Sequence, residues 1–153
     1  MAASYNAEGR VTRYAYDGER RCTAETDPLG HTWRTTWGHY HKPIAETDPL
    51  GHTTRARYNR EGELVEVVNP LGERHRFAYS PAGQLLEELT FDGRRLAYRY
   101  DPARRLVRSQ DGPAILAFTY DDADQLLARE HDDGTIERFA YDARGALVHA
   151  SWP

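Results

Sequence analysis

The chain is 153 residues long, enough for one domain or a modest repeat array, and no stretch departs in composition from the rest. Hydrophobic residues make up 39% and aromatic ones 11%, so the expected core is thin and built on large rings. A formal charge of −4, from 20 Lys and Arg against 24 Asp and Glu, argues against phosphate-backbone binding, and nucleic acid is not an expected partner. The single cysteine, Cys22, excludes an intramolecular disulfide, and with no apolar run of membrane-spanning length no membrane insertion is expected. Met1-Ala2-Ala3-Ser4 lacks the basic and apolar regions of a signal peptide, so any export signal is expected elsewhere.

In chain order, Tyr5-Asn6-Ala7-Glu8-Gly9-Arg10-Val11 is a shortened copy of a unit that then recurs to the end. The anchors of the full copies are Tyr16, Trp37, Tyr58, Tyr79, Tyr100, Tyr120 and Tyr141, stepping by 21 residues except for 20 between Tyr100 and Tyr120. So short and regular a period indicates a solenoid, propeller or array. Before each anchor, large residues alternate with others, as in Leu96, Tyr98, Tyr100 or Leu116, Phe118, Tyr120. Period-2 patterning predicts a strand with its aromatics on one sheet face.

After most anchors comes Asp or Asn, whose side chain can accept from turn amides, and then a glycine suited to a left-handed turn, as at Gly62, Gly83 and Gly145. Arg20, His41, Arg104 and Asp124 hold that position in other copies. Six residues past the anchor the pattern returns to apolar, at Cys22, Leu64, Leu85, Leu106, Leu126 and Leu147, often with a second apolar neighbour. A second turn comes next: Asp27-Pro28-Leu29-Gly30, Asp48-Pro49-Leu50-Gly51 and Asn69-Pro70-Leu71-Gly72, then the simpler Asp92-Gly93, Asp111-Gly112 and Asp133-Gly134. Each unit therefore reads as a β-hairpin with a hairpin-like return. The fold class is all-β, with hairpins stacked into a curved antiparallel sheet or a β-solenoid-like shell segment, and equivalent anchors roughly 9–10 Å apart across two strands.

The anchors and their turns, best preserved in Tyr141-Asp142-Ala143-Arg144-Gly145-Ala146-Leu147 and Tyr100-Asp101-Pro102-Ala103-Arg104-Arg105-Leu106, resemble the YD repeats of the Rhs family. The resemblance extends over residues 5–148, and residues 1–153 read as one YD-repeat array. It implies a β-sheet that spirals into a hollow shell around a toxin, as in bacterial polymorphic toxins delivered by secretion systems, in Tc-toxin subunits and in teneurins. The implied partners are the rest of such a shell and an enclosed toxin polypeptide, with self-association through sheet edges as another mode. The chain itself is expected to be shell material rather than toxin, since no non-repetitive segment follows Trp152.

Candidate chemistry is sparse. Asp27 and Asp48 suggest an aspartic dyad of the kind used for shell autoproteolysis, but their spacing equals the structural period. A dyad needs carboxylates about 3 Å apart, whereas equivalent positions in successive hairpins lie roughly 9–10 Å apart. His31, His39, His41, His52 and His75 lack the Cys/His spacing of a zinc site and read as loop histidines. No nucleotide-binding loop or nucleophilic triad is visible, so neither enzyme activity nor a cofactor is expected. The alternative to a shell is a carbohydrate- or surface-binding module presenting Trp33 or Trp37.

Overall fold

The computed structural model describes residues 2–5 and 10–152, so residues 6–9 of the shortened first copy lie outside the described residues. Its strands are β1 (Ala2–Tyr5), β2 (Val11–Tyr16), β3 (Cys22–Thr26), β4 (Thr32–Trp37), β5 (Pro43–Thr47), β6 (Thr53–Tyr58), β7 (Leu64–Val68) and β8 (Arg74–Tyr79). They continue as β9 (Leu85–Leu89), β10 (Arg95–Tyr100), β11 (Leu106–Asp111), β12 (Ala114–Tyr120), β13 (Leu126–His131), β14 (Ile136–Tyr141) and β15 (Leu147–Ser151). The only other regular element among the described residues is a 3-10 turn at His39–His41, far too short to cross a membrane.

Two compact units emerge, Met1–Arg76 and Phe77–Pro153. In each, sheet order equals chain order, and the pairs whose register is resolved are antiparallel. Such a meander follows from loops too short for a crossover connection. The sheet-forming expectation is met: strands such as Thr53–Tyr58 and Leu64–Val68 are dense in β-branched and aromatic residues.

No hydrophobic side chain among the described residues is buried, whereas two glutamates are: Glu66 at 8% exposure and Glu137 at 7%. Neither unit carries a second layer over its sheet, so both faces are half-covered by their own neighbours, and stability accrues hairpin by hairpin.

Apart from the tighter return at 112–113, where Asp111 pairs directly with Ala114, both hairpin connections of a repeat use one loop. In the anchor loop 59–63, the Asn59 amide donates to the Glu63 carbonyl at 3.0 Å and the Gly62 amide to the Asn59 carbonyl at 3.2 Å. The return loop 48–52 repeats this, with Asp48 to His52 at 3.0 Å and Gly51 to Asp48 at 3.0 Å. This is a tight turn closed by one left-handed residue, the common three-residue hairpin loop. Gly30, Gly51, Gly62, Gly72, Gly83, Gly93, Gly134 and Gly145 all occupy the closing position with φ between 77° and 92°. Arg20, Arg104 and Asp124 hold it at φ of 62°, 67° and 62°, accepting the strain that a Cβ brings there.

The two connections differ in how their strands re-pair. Just past the resolved anchor loops the register slips by one residue, so Tyr58 faces Leu64 but Arg57 faces Glu66, leaving Val65 as a β-bulge. The same slip occurs at Tyr16, Trp37, Tyr100, Tyr120 and Tyr141. It accounts for the second apolar residue, such as Val65, Val107 or Leu127: an extra residue interrupts the alternation and resets which face the strand presents.

Candidate functional site: an inter-repeat clasp and an arginine-lined groove

Each anchor is the last residue of its strand, at the end of β2, β4, β6, β8, β10, β12 or β14. Beyond the bulge the neighbouring strand has diverged. Leu106 of β11 has no partner on β12, where pairing begins at Arg108, and Leu126 of β13 has none on β14. The anchor side chain closes this gap. Tyr120 Oη donates to the Leu106 carbonyl at 2.9 Å, Tyr141 Oη to the Leu126 carbonyl at 3.0 Å, and Trp37 Nε1 to the Cys22 carbonyl at 2.7 Å. Tyr and Trp interchange at this position because both carry a donor at the far tip of a large ring. A signal was present in the sequence: no anchor is Phe, although Phe77, Phe118 and Phe139 stand two residues earlier.

The last residue of the preceding anchor loop completes the clasp. Arg105 stacks on the Tyr120 ring at 5.1 Å and donates to the Asp121 carbonyl at 2.8 Å. Arg21 does the same to Trp37 at 6.0 Å and to the Gly38 carbonyl at 3.3 Å, and Lys42 lies 5.8 Å from the Tyr58 ring. Each basic residue thus ties its own loop to the next anchor.

Inside the loops the first side chain substitutes for absent backbone partners. Asp27 Oδ1 accepts the amides of Leu29 and His31 at 2.8 and 2.9 Å, while Oδ2 meets His31 Nδ1 at 2.8 Å. Asp48 holds Leu50 and His52 alike. Partial burial raises the pKa of each carboxyl, but the hydrogen bonds from the histidine ring and the loop amides outweigh it and hold both below the usual range. Each aspartate is thereby committed to its own loop. Where Thr90 or His131 opens the loop, the carboxylate moves two places on. Asp133 accepts the Thr135 amide at 2.8 Å, and Asp92, bonded by Thr90 and Arg94, is held down to about 2. The Asp92-Gly93 and Asp133-Gly134 turns are therefore the same five-residue loop with its acceptor displaced, whereas at Asp111-Gly112 the turn is tighter and Asp111 pairs directly with Ala114.

Among the described residues no three His, Cys, Asp or Glu gather as a metal site. Cys22 is a free, half-buried thiol 3.4 Å from the Ala24 carbonyl.

The loop after Trp37 departs from the pattern. Gly38 stands where the acceptor side chain belongs, and Tyr40 and His41 are both left-handed, at φ of 57° and 55°. A Cβ on Gly38 would lie 2.6 Å from Ile44 Cγ2, so the bulge residue Ile44 requires glycine there. Tyr40 is pushed outward, 73% exposed. Between this loop and the next lies an open groove of about 940 Å³, lined by Tyr40, Ile44, Arg55, Arg57, Arg60 and Val68 among others.

The groove borders the first buried carboxylate. Glu66 faces Arg57 on one side and Arg76 on the other, on the face opposite the Tyr58 ring. Its oxygens meet Arg74 Nη1 and Arg76 Nε at 3.0 Å each, with Arg57 Nε at 3.8 Å. The hydrogen bond from Arg76 leads in holding its pKa below the ordinary glutamate range, against the upward push of burial. Glu137 lies on the other kind of face, aligned with Phe139 and Tyr141 on β14, and is bonded by Arg129 and by His131 at 3.2 Å. Burial pushes its pKa up, but these two partners outweigh that and leave it low.

On the aromatic face of the first unit, half-exposed Trp33 pairs across the sheet with Glu25, and Glu46 pairs with Thr35 and Thr54. They line a pocket of about 410 Å³.

Residues 2–32 and 58–95 match the RHS Repeat family. No curated protein matches the chain. Among solved structures it is similar to TcdB2-TccC3 without its hypervariable C-terminal region (TM-score 0.78, 17% identity, 92% of this chain and 9% of that one). TcdB2-TccC3 itself is similar at TM-score 0.77 and 17% identity, over 92% of this chain and 9% of that one. The Photorhabdus luminescens Tc holotoxin pore carrying a TccC3 substitution is similar at TM-score 0.76 and 15% identity, over 94% and 9%. At these identities the likeness is one of fold, and the chain spans about a tenth of the length of those it matches.

Proposed function

Because residues 2–32 and 58–95 match the RHS Repeat family and the same period runs through the rest of the chain, we propose that it is a non-enzymatic length of Rhs-type shell wall, which with further repeats encloses or presents an effector polypeptide. The observation that carries this reading is a single layer of strands in each unit with no buried hydrophobic residue among those described, clasped from repeat to repeat by the anchors. An enzyme needs a rigid scaffold around convergent polar groups, whereas this arrangement spends its polar groups on loops and on joining repeats. A wall extends by adding units and gains its second surface from whatever it surrounds. The likeness in fold to portions of TcdB2-TccC3 supports the same reading.

The test is protease protection. The whole open reading frame that carries this chain is expressed and digested, together with any polypeptide encoded beside it. Protection of a non-repetitive segment, lost when the repeats anchored at Tyr58 and Tyr79 are deleted, is expected; complete digestion with the array intact overturns the proposal.

The pocket at Trp33 favours a second reading, a surface- or carbohydrate-binding module, because a ring flanked by carboxylates and hydroxyls suits a sugar face. Trp37 does not share in it, being held by the clasp. Glycan-array binding that disappears in Trp33→Ala would support this reading, and an empty array ends it.

A further inference from the structure

We propose that the groove between the loops 38–42 and 59–63 docks an acidic, partly apolar polypeptide segment in extended form. This site stands whatever the array encloses. Its floor and walls are apolar at Tyr40, Ile44 and Val68, and three arginines, Arg55, Arg57 and Arg60, edge it. The carboxylate among the lining residues, Glu66, is already engaged by Arg74 and Arg76, with Arg57 looser at 3.8 Å. Three arginines therefore gather on Glu66, and Arg55 and Arg60 line the groove with no carboxylate but Glu66 beside them, in a chain whose formal charge is −4. Arg55 lies beside Val68 and Arg74 in one cross-strand row, so apolar and cationic positions are interleaved on this face.

Charge complementarity names the occupant. Exposed guanidiniums present planar forks that match carboxylates, and their arrangement around an apolar floor calls for a ligand carrying carboxylates next to aliphatic side chains. An alternating acidic–apolar segment supplies both along one edge. A nucleic acid fits less well, because it would track a longer basic stripe and leave Ile44 and Val68 without partners. A small free anion would leave the apolar walls unused. The loop itself is shaped for this opening: its left-handed Tyr40 and His41 swing Tyr40 outward to form one wall, where the other anchor loops carry a compact turn.

The test is fluorescence anisotropy on the full chain with three labelled probes: a short alternating Glu–Leu peptide, its Lys–Leu counterpart and an oligothymidylate. The Glu–Leu peptide is expected to bind, more weakly as salt rises, and to lose about tenfold in affinity in Arg55→Glu/Arg60→Glu. Ile44→Gln should weaken it as well, while Arg144→Glu, in a loop of the second unit, should not. No binding, equal binding of the Lys–Leu peptide, or indifference to the double variant overturns the proposal. So does oligothymidylate bound as tightly with the same dependence on Arg55 and Arg60. If the double variant loses its β-sheet circular dichroism, Arg60→Gln in the exposed loop carries the same test.

Discussion

Each unit buries one residue among those described, Glu66 in the first and Glu137 in the second, and the two lie on opposite kinds of face. Glu66 follows the bulge after Tyr58 and gathers Arg57, Arg74 and Arg76 on the face away from the rings. Glu137 precedes its anchor, shares the aromatic face, and has Arg129 and His131. The backbone beneath them is the same: one loop, one bulge and one clasp, copied along the chain. The constant parts of the repeat build the sheet, and the residues free to vary on its two faces decide what each region can bind.

The sharpest test removes each carboxylate. Glu66→Ala leaves three guanidiniums without a counter-charge and should lower the thermal midpoint more than Glu137→Ala does. In high salt that gap should narrow, because screening weakens repulsion among the stranded arginines. Equal losses measured by circular dichroism at both salt concentrations would break the comparison. Both carboxyls titrate below their ordinary range in the folded chain, so their stabilisation is complete above the unfolded-state glutamate pKa. It is lost as pH falls from there through the lower folded value, and Glu66→Gln should flatten this acid limb of the stability profile.

The clasp predicts the next effect. Tyr120→Phe leaves the Leu106 carbonyl without its donor and should cost about 1 kcal/mol in urea denaturation, with the m-value unchanged. An undiminished midpoint would reduce the anchor to packing.

The shared loop gives a pair of opposed changes. Gly51→Ala meets no atom within 4 Å, so its cost of about 1 kcal/mol would be purely conformational. Arg20→Gly relieves the same left-handed strain and should gain roughly 0.5 kcal/mol, part of the relief being returned to the more flexible unfolded chain. If Gly51→Ala is neutral, the closing position makes no demand on φ. The smallest effect belongs to Leu50→Asp. Leu29, Leu50 and Leu71 are 78–83% exposed, and Asp92 and Asp133 fill the same place in the second unit, so the change should stay within about 0.5 kcal/mol.

Much of this was legible in the residues. Seven anchors in near-constant register, alternating rings and glycine-marked turns settle an all-β repeat array, because period-2 patterning and left-handed turns are local properties of the chain. The carboxylate–amide bonds of the loops arise from the same short range. Three things only the tertiary structure decided. The bulge past each anchor turned Leu64-Val65 from a break in the pattern into a change of face, and no local signal says which of two adjacent apolar residues is the extra one. The anchor's donor found a carbonyl 14 or 15 residues back, on a strand whose divergence no sequence period reveals. Glu66 met its arginines because that one-residue slip carried it to the face away from Tyr58. Side-chain partners across strands depend on register, and register is a property of the paired sheet rather than of either strand alone.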